Sequence, residues 1–445
     1  MKKEQAFWSR LLILLLVLLP FALLFLAPGS VTGVSAFGTV AFWFALLFCF
    51  WVIFFILGMP EAQMSPAHHL GPRMLADAEQ PDAVKDVMTV SMATEGADGV
   101  RIFRGRLRES ADAAYQKLKR AVGGQTVPLL QEDEQSEAAV VLMPRPVERE
   151  RLEHPIRPAV HWLLFGLTVL TTTWAGAAHQ GVNLLREPDR FAVGLPYSLG
   201  LLAILGVHEL GHYFMARHHQ IKVTPPYFIP VPFALGTFGA FIQMRSPTED
   251  RRSLFDVAVA GPLAGLVVAI PALLIGLQSS TVIPGDAASG MMAGTSVGSS
   301  VLFALLAKLS LGPALEYGHV LRLSPMAFAG WLGLFITALN LLPIGQLDGG
   351  RMATAMFGRR VGGTIGTVAM WTLLLLAIFV WPGLTMWAIL VFFIAGTSAA
   401  PLNDLTPLTP QRQWVGYATF AILALILAPL PHSLWSAAGI HCPYV

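Results

Sequence analysis

Charged side chains are scarce in this sequence of 445 residues. Asp, Glu, Lys and Arg make up 13% of the chain and hydrophobic residues 55%, whereas about 25% of an average soluble domain is charged. Long blocks contain none of the four charged residues, and a membrane span needs about 20 consecutive apolar residues. The composition excludes an ordinary soluble protein and predicts a polytopic membrane protein.

Cysteine is almost absent as well. The two cysteines, Cys49 and Cys442, lie too far apart in sequence to indicate a disulfide framework or a thiolate metal site. The formal net charge is only +2, and basic and aromatic residues are not interleaved. We therefore expect no nucleic-acid partner.

Apolar runs recur along the chain and predict eight or nine transmembrane helices. They cover residues 9–28, 36–58, 159–178, 193–215, 254–277, 325–345, 362–381, 384–400 and 413–430. Clusters of Lys and Arg flank alternate ends of these runs, and placing the clusters in the cytoplasm gives a consistent topology. The first run could also be a signal peptide. We expect a bacterial plasma membrane, with a plastid membrane as the alternative.

One charged block interrupts the apolar pattern. Residues 60–158 predict a small soluble α+β domain on the cytoplasmic side, and residues 278–300 predict a flexible loop. Within the block we predict three strands and one helix, at residues 84–92, 100–107, 138–142 and 110–122 respectively. We predict four parts of the chain: two N-terminal spans at residues 1–59, the soluble domain at 60–158, a membrane core at 159–360 that contains the motifs described next, and C-terminal spans at 361–445.

The segment His208-Glu209-Leu210-Gly211-His212 lies inside an apolar run. Residues four apart share one helix face, about 6 Å apart along the axis, so two imidazoles can bind one zinc ion while Glu209 acts on water. Ionisable groups are costly in lipid and need partners or a function. The pattern predicts zinc-dependent hydrolysis at the cytoplasmic end of a membrane helix.

A catalytic zinc site usually has three protein ligands, so a third must come from another segment. Asp348 is the best candidate, because it follows the apolar helix that ends near Pro343 and lies at the same cytoplasmic end. An Asp that caps a helix at a glycine-rich turn is a common alternative. The two histidines favour the ligand interpretation.

These motifs resemble those of the site-2 protease family of intramembrane zinc metalloproteases. The resemblance rests on the His208–His212 motif and on Asn340-Leu-Leu-Pro343 followed by Leu347-Asp348-Gly349-Gly350. Gly236-Thr-Phe-Gly239 resembles the family's re-entrant hairpin, and residues 255–265 resemble the start of the next helix.

The resemblance implies one Zn²⁺ per chain and a role for each motif residue. It implies that His208, His212 and Asp348 are the metal ligands and that Glu209 is the catalytic acid/base. It places Asn340 near the substrate carbonyl, and it assigns Gly236 and Gly239 to the hairpin beside the substrate.

The implied fold is an all-α polytopic membrane protein with a re-entrant β-hairpin-like loop, plus the small soluble α+β domain. The segment 278–324 is too short for the PDZ domain that many bacterial members carry. The preceding soluble domain and the motif sequences are closer to those of the branch found in cyanobacteria, other bacteria and chloroplasts. The implied partners are the lipid bilayer and single-span membrane protein substrates, cleaved for regulated proteolysis or signal-peptide clearance. The sequence leaves the oligomeric state open.

Two other functions are consistent with parts of the pattern. An ion transporter also buries His, Glu and Asp at broken helices, and Gly261-Pro262 and Leu342-Pro343 could be such breaks. A catalytically silent scaffold or chaperone would be expected to lose Glu209 or a ligand. Residues 237–244 could pair with an unwound substrate as an edge strand, or could be an ordinary packed loop.

Overall fold

A computed structural model of the chain describes the greater part of the sequence after residue 72. The described residues are 73–76, 79–96, 99–122, 126–132, 137–144, 157–232, 235–284, 300–312, 319–379, 388–389, 391–392, 396 and 400–428. The first two predicted spans, both cysteines and most of the predicted loop at 278–300 lie outside these residues. The described residues from 73 to 372 and from 396 to 428 belong to one compact unit.

The domain predicted to be soluble consists, over its described residues, of a five-stranded antiparallel sheet and two helices. The strand order is β1-β2-β3-β5-β4, and the strands are β1 Arg73–Met74, β2 Met88–Glu95, β3 Arg101–Leu107, β4 Thr126–Glu132 and β5 Ala138–Pro144. The helices are α1 Asp82–Val87 and α2 Ala111–Val122. Ala114 and Leu118, four residues apart on α2, are buried against Phe103 and Val140 of the sheet. The sequence-predicted α+β character is therefore observed over residues 73–144.

Two local predictions in this domain were wrong. The segment predicted as a strand at 84–92 begins as helix α1, and β2 starts only at Met88, because a helix of six residues is too short to display a helical period. Strand β4 was missed, since Pro128 within it argues against a strand. Proline is tolerated there because β4 is the last strand in the order of the sheet.

Seven helices follow in the described part of the chain. They are α3 Pro158–His179, α4 Leu195–His218, α5 Arg251–Gln278, α6 Val301–Leu311, α7 Pro325–Leu341, α8 Asp348–Phe379 and α9 Pro410–Leu427. Among the described residues, three stretches are long and apolar enough to cross a membrane, namely Pro188–His218, Arg251–Gln278 and Asp348–Ile378. Membrane helices are thus supported, whereas the predicted count of eight or nine spans is not confirmed.

Helix α8 is broken at Gly358. The backbone there has φ 84° and ψ 165°, a conformation open essentially to glycine alone. A Cβ on Gly362 would come within 2.7 Å of the Cα of Thr354, so the chain after the break turns back on the part before it. Residues 348–357 therefore form a short helix of their own, and only the part after Gly358 has the length of a span.

Close helix packing places the membrane motifs. Helix α5 lies against both α4 and α7, with Ile204, Leu273 and Leu334 in one buried cluster. A Cβ on Gly330 of α7 would lie 2.6 Å from the backbone nitrogen of Leu273, and one on Gly276 of α5 would lie 2.1 Å from that of Ala327. Small residues allow such backbone approach between membrane helices. As a result, the middle of α4 faces the end of α7.

Two small two-stranded sheets complete the described fold. Strands β6 Tyr227–Pro230 and β7 Thr237–Phe241 pair antiparallel, as do β8 Thr281–Pro284 and β9 His319–Arg322. The first pair lies between α4 and α5, where the sequence predicted a re-entrant hairpin.

Candidate metal centre

Three side chains from two separate segments converge at the end of α4. The Nε2 atoms of His208 and His212 are 3.2 Å apart. One carboxylate oxygen of Asp348, Oδ2, lies 3.5 Å from Nε2 of His208 and 3.2 Å from Nε2 of His212. Both histidines are buried, and the Asp348 side chain is 12% exposed. In the part of the chain that the structure describes, this is the one His, Cys, Asp and Glu group arranged to hold a metal ion.

The spacing of these atoms fits zinc. Zinc binds nitrogen and oxygen ligands at about 2.0–2.1 Å with tetrahedral angles, which places neighbouring ligand atoms about 3.3 Å apart. Nδ1 of His212 lies 2.7 Å from the carbonyl oxygen of Val257, which can only accept a hydrogen bond. Nδ1 therefore carries the hydrogen, and Nε2 of the neutral ring directs its lone pair at the other two groups, as a metal ligand requires.

Glu209 lies beside this group without belonging to it. The HExxH spacing puts its side chain on α4 between the two ligand histidines, and it is only 7% exposed. The backbone of Ile242, just after β7, lies next to its carboxylate. A carboxylate held next to a metal site, but outside the ligand set, is placed to move protons.

Asn340 comes from the last turn of α7. Its Nδ2 lies 3.3 Å from Nε2 of His208, so the amide borders the ligand set. The structure therefore brings together all five residues that the sequence motifs singled out on membrane helices: His208, Glu209, His212, Asn340 and Asp348.

Gly261, which sequence reasoning considered only as part of a possible helix break, lies against the ring of His212. Gly261 of α5 faces the ring, and a Cβ added there would lie 2.1 Å from Nε2 of His212. Gly265, one turn later, would bring a Cβ to 3.2 Å from Nδ1 of His208. The Gly-xxx-Gly spacing in the sequence was the available signal, since it marks a face on which another group approaches the helix closely. The Gly261-Pro262 pair lies inside α5 and does not end it.

The hairpin glycines differ in what they do. Gly236 has φ +80° and its Cβ would lie 2.5 Å from the Cα of Thr172, so the turn rests directly on α3. Gly239 has φ +100° with open space around it, so backbone conformation alone requires glycine there. The hydroxyls of Thr171 and Tyr197 donate to the carbonyl oxygens of Gly236 and Leu235, at 2.7 and 2.9 Å. Helices α3 and α4 thus hold this turn.

Asp256 is engaged elsewhere. Arg412 donates to both of its carboxylate oxygens at 2.8 Å, and His219 lies 3.0 Å from Oδ2. The N-cap of α5 is instead Asp250, which forms a capping box with Ser253. Asp256 is therefore part of an ion cluster near the start of α5.

Comparison with known proteins points the same way as the geometry. Residues 196–380, which contain every residue of the metal centre, match the family model described as Peptidase family M50. The chain is 32% identical over 351 residues to a protein of Oryza sativa subsp. indica named as the probable chloroplastic zinc metalloprotease EGY2, with 76% of this chain and 62% of that protein covered.

Two further relatives cover similar ground. The Arabidopsis thaliana protein named as the probable chloroplastic zinc metalloprotease EGY1 is 34% identical over 300 residues, covering 62% of this chain and 54% of the relative. The rice protein named EGY3 is 26% identical over 366 residues, covering 77% and 62% respectively. The chain thus spans less than two thirds of the length of these relatives. No solved structure matches it.

Proposed function

We propose that this chain belongs to peptidase family M50, the site-2 protease family, and that it is an intramembrane zinc metalloprotease. It hydrolyses a peptide bond in or next to the membrane span of a protein substrate. The observation that carries the proposal is the convergence of His208, His212 and Asp348 at zinc-ligand spacing, with Glu209 beside them. In this proposal one Zn²⁺ per chain is held by those three residues.

The residues of the site divide the chemistry among them. When bound, zinc acts as a Lewis acid that polarises a carbonyl and makes water a nucleophile at neutral pH. Glu209 takes the proton that water loses as the new C–O bond forms. As the C–N bond breaks, Glu209 returns that proton to the leaving amine. The Asn340 amide, 3.3 Å from His208, is placed to donate to the substrate carbonyl oxygen.

A helical substrate hides its amides in internal hydrogen bonds, so the cleaved segment must unwind before hydrolysis. The proposed binding position of the unwound segment is along strand β7, because β7 ends next to Ile242, whose backbone lies next to Glu209. An extended segment paired with β7 would have its peptide bonds in a fixed register relative to Glu209. Gly239, with open space around it, would let the substrate backbone approach.

The proposed setting is the membrane, with single-span proteins as substrates and the site near the cytoplasmic side. The proposed orientation rests on the clusters of Lys and Arg that flank the apolar runs in the sequence. A bacterial plasma membrane remains our proposal, and a plastid membrane is the alternative supported by the names of the relatives. Regulated proteolysis and signal-peptide clearance are both open as the biological role.

Metal removal tests the function directly. Dialysis of the detergent-purified chain against a chelator is expected to abolish cleavage of a single-span substrate, and one equivalent of Zn²⁺ is expected to restore it, because three neutral or anionic ligands hold a single ion. Asp348→Ala is expected to bind less than about 0.1 zinc per chain under conditions that load the parent fully. Loss of a group behind a metal ligand lowers metal affinity by up to about 100-fold, and loss of a ligand itself should lower it at least as much. Zinc is counted by mass spectrometry.

The same preparation separates the alternatives. Stoichiometric zinc with no cleavage over a panel of single-span substrates would reject the protease and favour the scaffold. Zinc-independent ion flux in proteoliposomes would favour the transporter. An Asp348→Ala chain that still binds one zinc ion would remove Asp348 from the ligand set.

The hairpin supplies a second test. Tyr197→Phe removes the hydroxyl that donates to the carbonyl oxygen of Leu235. One hydrogen bond contributes about 1 kcal/mol, so KM should rise about fivefold. The kcat and the zinc content should not change. Tyr417→Phe on α9, whose ring is exposed, is the matched control. The measurement is the initial rate over a range of substrate concentrations. A fall in kcat without a change in KM would mean that the Tyr197 contact does not serve substrate binding.

A further inference from the structure

The soluble domain is joined to the membrane core by a short segment, residues 400–409, which we call the strap. At Leu130 the edge of the sheet meets the strap through two backbone hydrogen bonds, Leu130 N to Leu402 O at 2.7 Å and Asp404 N to Leu130 O at 2.8 Å. On its other side the strap bonds to the residues before α5, with Leu402 N donating to Thr248 O and Asn403 N to Glu249 O. The strap thus lies between the soluble sheet and the start of α5.

A buried ion pair continues this connection into the core. Nε of Arg251, in the first turn of α5, lies 2.9 Å from Oδ1 of Asp404, and the two side chains are 12% and 3% exposed. Asn403 and Asp404 are buried as well. Removing one partner of a buried pair leaves the other charge without compensation, so such a pair constrains where both segments lie.

The same guanidinium contacts the break in α8. A Cβ on Gly358 would lie 2.6 Å from Nη2 of Arg251 and 3.3 Å from its Cζ, so the guanidinium lies directly against the Gly358 backbone. The helix that ends at this break begins with Asp348, about 15 Å away along its axis. Met352 and Ala355 of this helix pack into the same buried cluster as Phe255 and Ala258 of α5.

Arg251 therefore lies at the start of α5 and contacts the end of the short helix 348–357, and both segments contribute to the metal centre. Helix α5 carries Val257 and Gly261, which contact His212, and the short helix 348–357 carries Asp348. We propose that Arg251 and Asp404 are positioning residues that transmit the docking of the soluble domain, through the strap, to the placement of Asp348 and His212. This inference rests on the proposed function for its meaning, since it assigns the soluble domain the task of setting the geometry of the protease site.

The test uses the full chain in detergent and reads zinc affinity, which requires no substrate. Asp404→Asn removes the charge but keeps the shape, and Arg251→Lys keeps the charge but loses the planar group that lies on Gly358. Competition with a chromophoric chelator is expected to show zinc bound about tenfold more weakly in each variant, the lower end of the effect of groups behind metal ligands. Only the monodisperse fraction from size-exclusion chromatography is titrated.

Two matched controls break ion pairs between the same two parts of the chain. Lys119→Ala removes the pair with Glu249, and Arg252→Ala removes the pair with Asp112. These pairs are largely exposed, and such pairs add little stability, so the controls should bind zinc like the parent chain. Cleavage of a single-span substrate is measured in parallel, where Asp404→Asn should lower kcat more than it raises KM.

The outcomes separate the two proposals. Unchanged zinc affinity in whichever of Asp404→Asn and Arg251→Lys is monodisperse would overturn the positioning role, as would an equal loss in the controls. If both variants are aggregated, Thr406→Val is titrated instead, because it removes the hydroxyl that accepts from the Asn403 amide within the strap, and unchanged zinc affinity there would equally overturn it. A parent chain that binds zinc but cleaves nothing would remove the protease function while leaving the effect on affinity to be judged by itself.

Discussion

Replacing Glu209 by Gln is expected to abolish peptide hydrolysis while leaving zinc bound. The substitution keeps the size of the side chain and its place next to Ile242, but the amide cannot accept and return a proton. General acid–base catalysis contributes about 10²- to 10⁴-fold to a reaction rate, so kcat should fall by about 100-fold to 10,000-fold. Zinc content should remain at one per chain, because Glu209 lies outside the His208, His212 and Asp348 group.

The pair of measurements makes this prediction specific. Zinc is counted by mass spectrometry on the same sample whose cleavage of a single-span substrate is followed by gel. Glu249→Gln, a change of the same kind at an exposed glutamate in the segment before α5, should cleave normally. Residual cleavage above a few per cent of the parent rate by Glu209→Gln would assign the proton transfer to another group, and loss of zinc would place Glu209 among the ligands.

The metal centre was accessible to sequence reasoning because its parts obey simple rules. Two histidines four residues apart must share a helix face, so His208 and His212 needed no tertiary information. Asp348 could be selected because acids are rare in apolar segments, and because topology put its helix end at the same depth as the histidines. The structure places Asp348 within 3.5 Å of both rings.

What the sequence could not predict depends on contacts between distant segments. The short helix 348–357 and the break at Gly358 lie between the predicted apolar runs 325–345 and 362–381. The positive φ at Gly358 is a conformation that glycine permits but that its presence in the sequence does not reveal. The strap has no periodicity, and its hydrogen bonds to Leu130 and Glu249 appear only when sheet and helix are assembled. The number of membrane spans is a similar case, since hydropathy reports apolar length and not whether a segment crosses.

At Gly261 the sequence shows a Gly-xxx-Gly spacing but not which group lies against it. Its role is defined by the imidazole of His212, 49 positions earlier in the chain, which occupies the space where any larger residue would place its Cβ. Glycine inside a helix is otherwise unfavourable by up to about 1 kcal/mol relative to alanine. Glycine at this position leaves room for the His212 ring. The proposed zinc site requires the ring to stay in that place.

Gly261→Ala is accordingly expected to weaken zinc binding by about 100-fold or more, the upper end of the effect of changes behind metal ligands. The added methyl group would lie 2.1 Å from Nε2 of His212 in the present arrangement, so the ring must rotate away or α5 must move. Either movement separates Nε2 from Asp348 and disrupts the 3.2 Å spacing that zinc requires. Cleavage should be lost together with the metal.

A series of glycines tests whether contact with the ligands is the cause. Gly265→Ala, whose Cβ would lie 3.2 Å from Nδ1 of His208, should weaken zinc binding only severalfold, and Gly363→Ala, with nothing within 4 Å, should not change it. Because alanine is the better helix former, Gly363→Ala should also leave the chain at least as resistant to unfolding. Equal zinc affinity in Gly261→Ala and Gly363→Ala would show that His212 is free to reposition, and that α5 does not confine the metal centre.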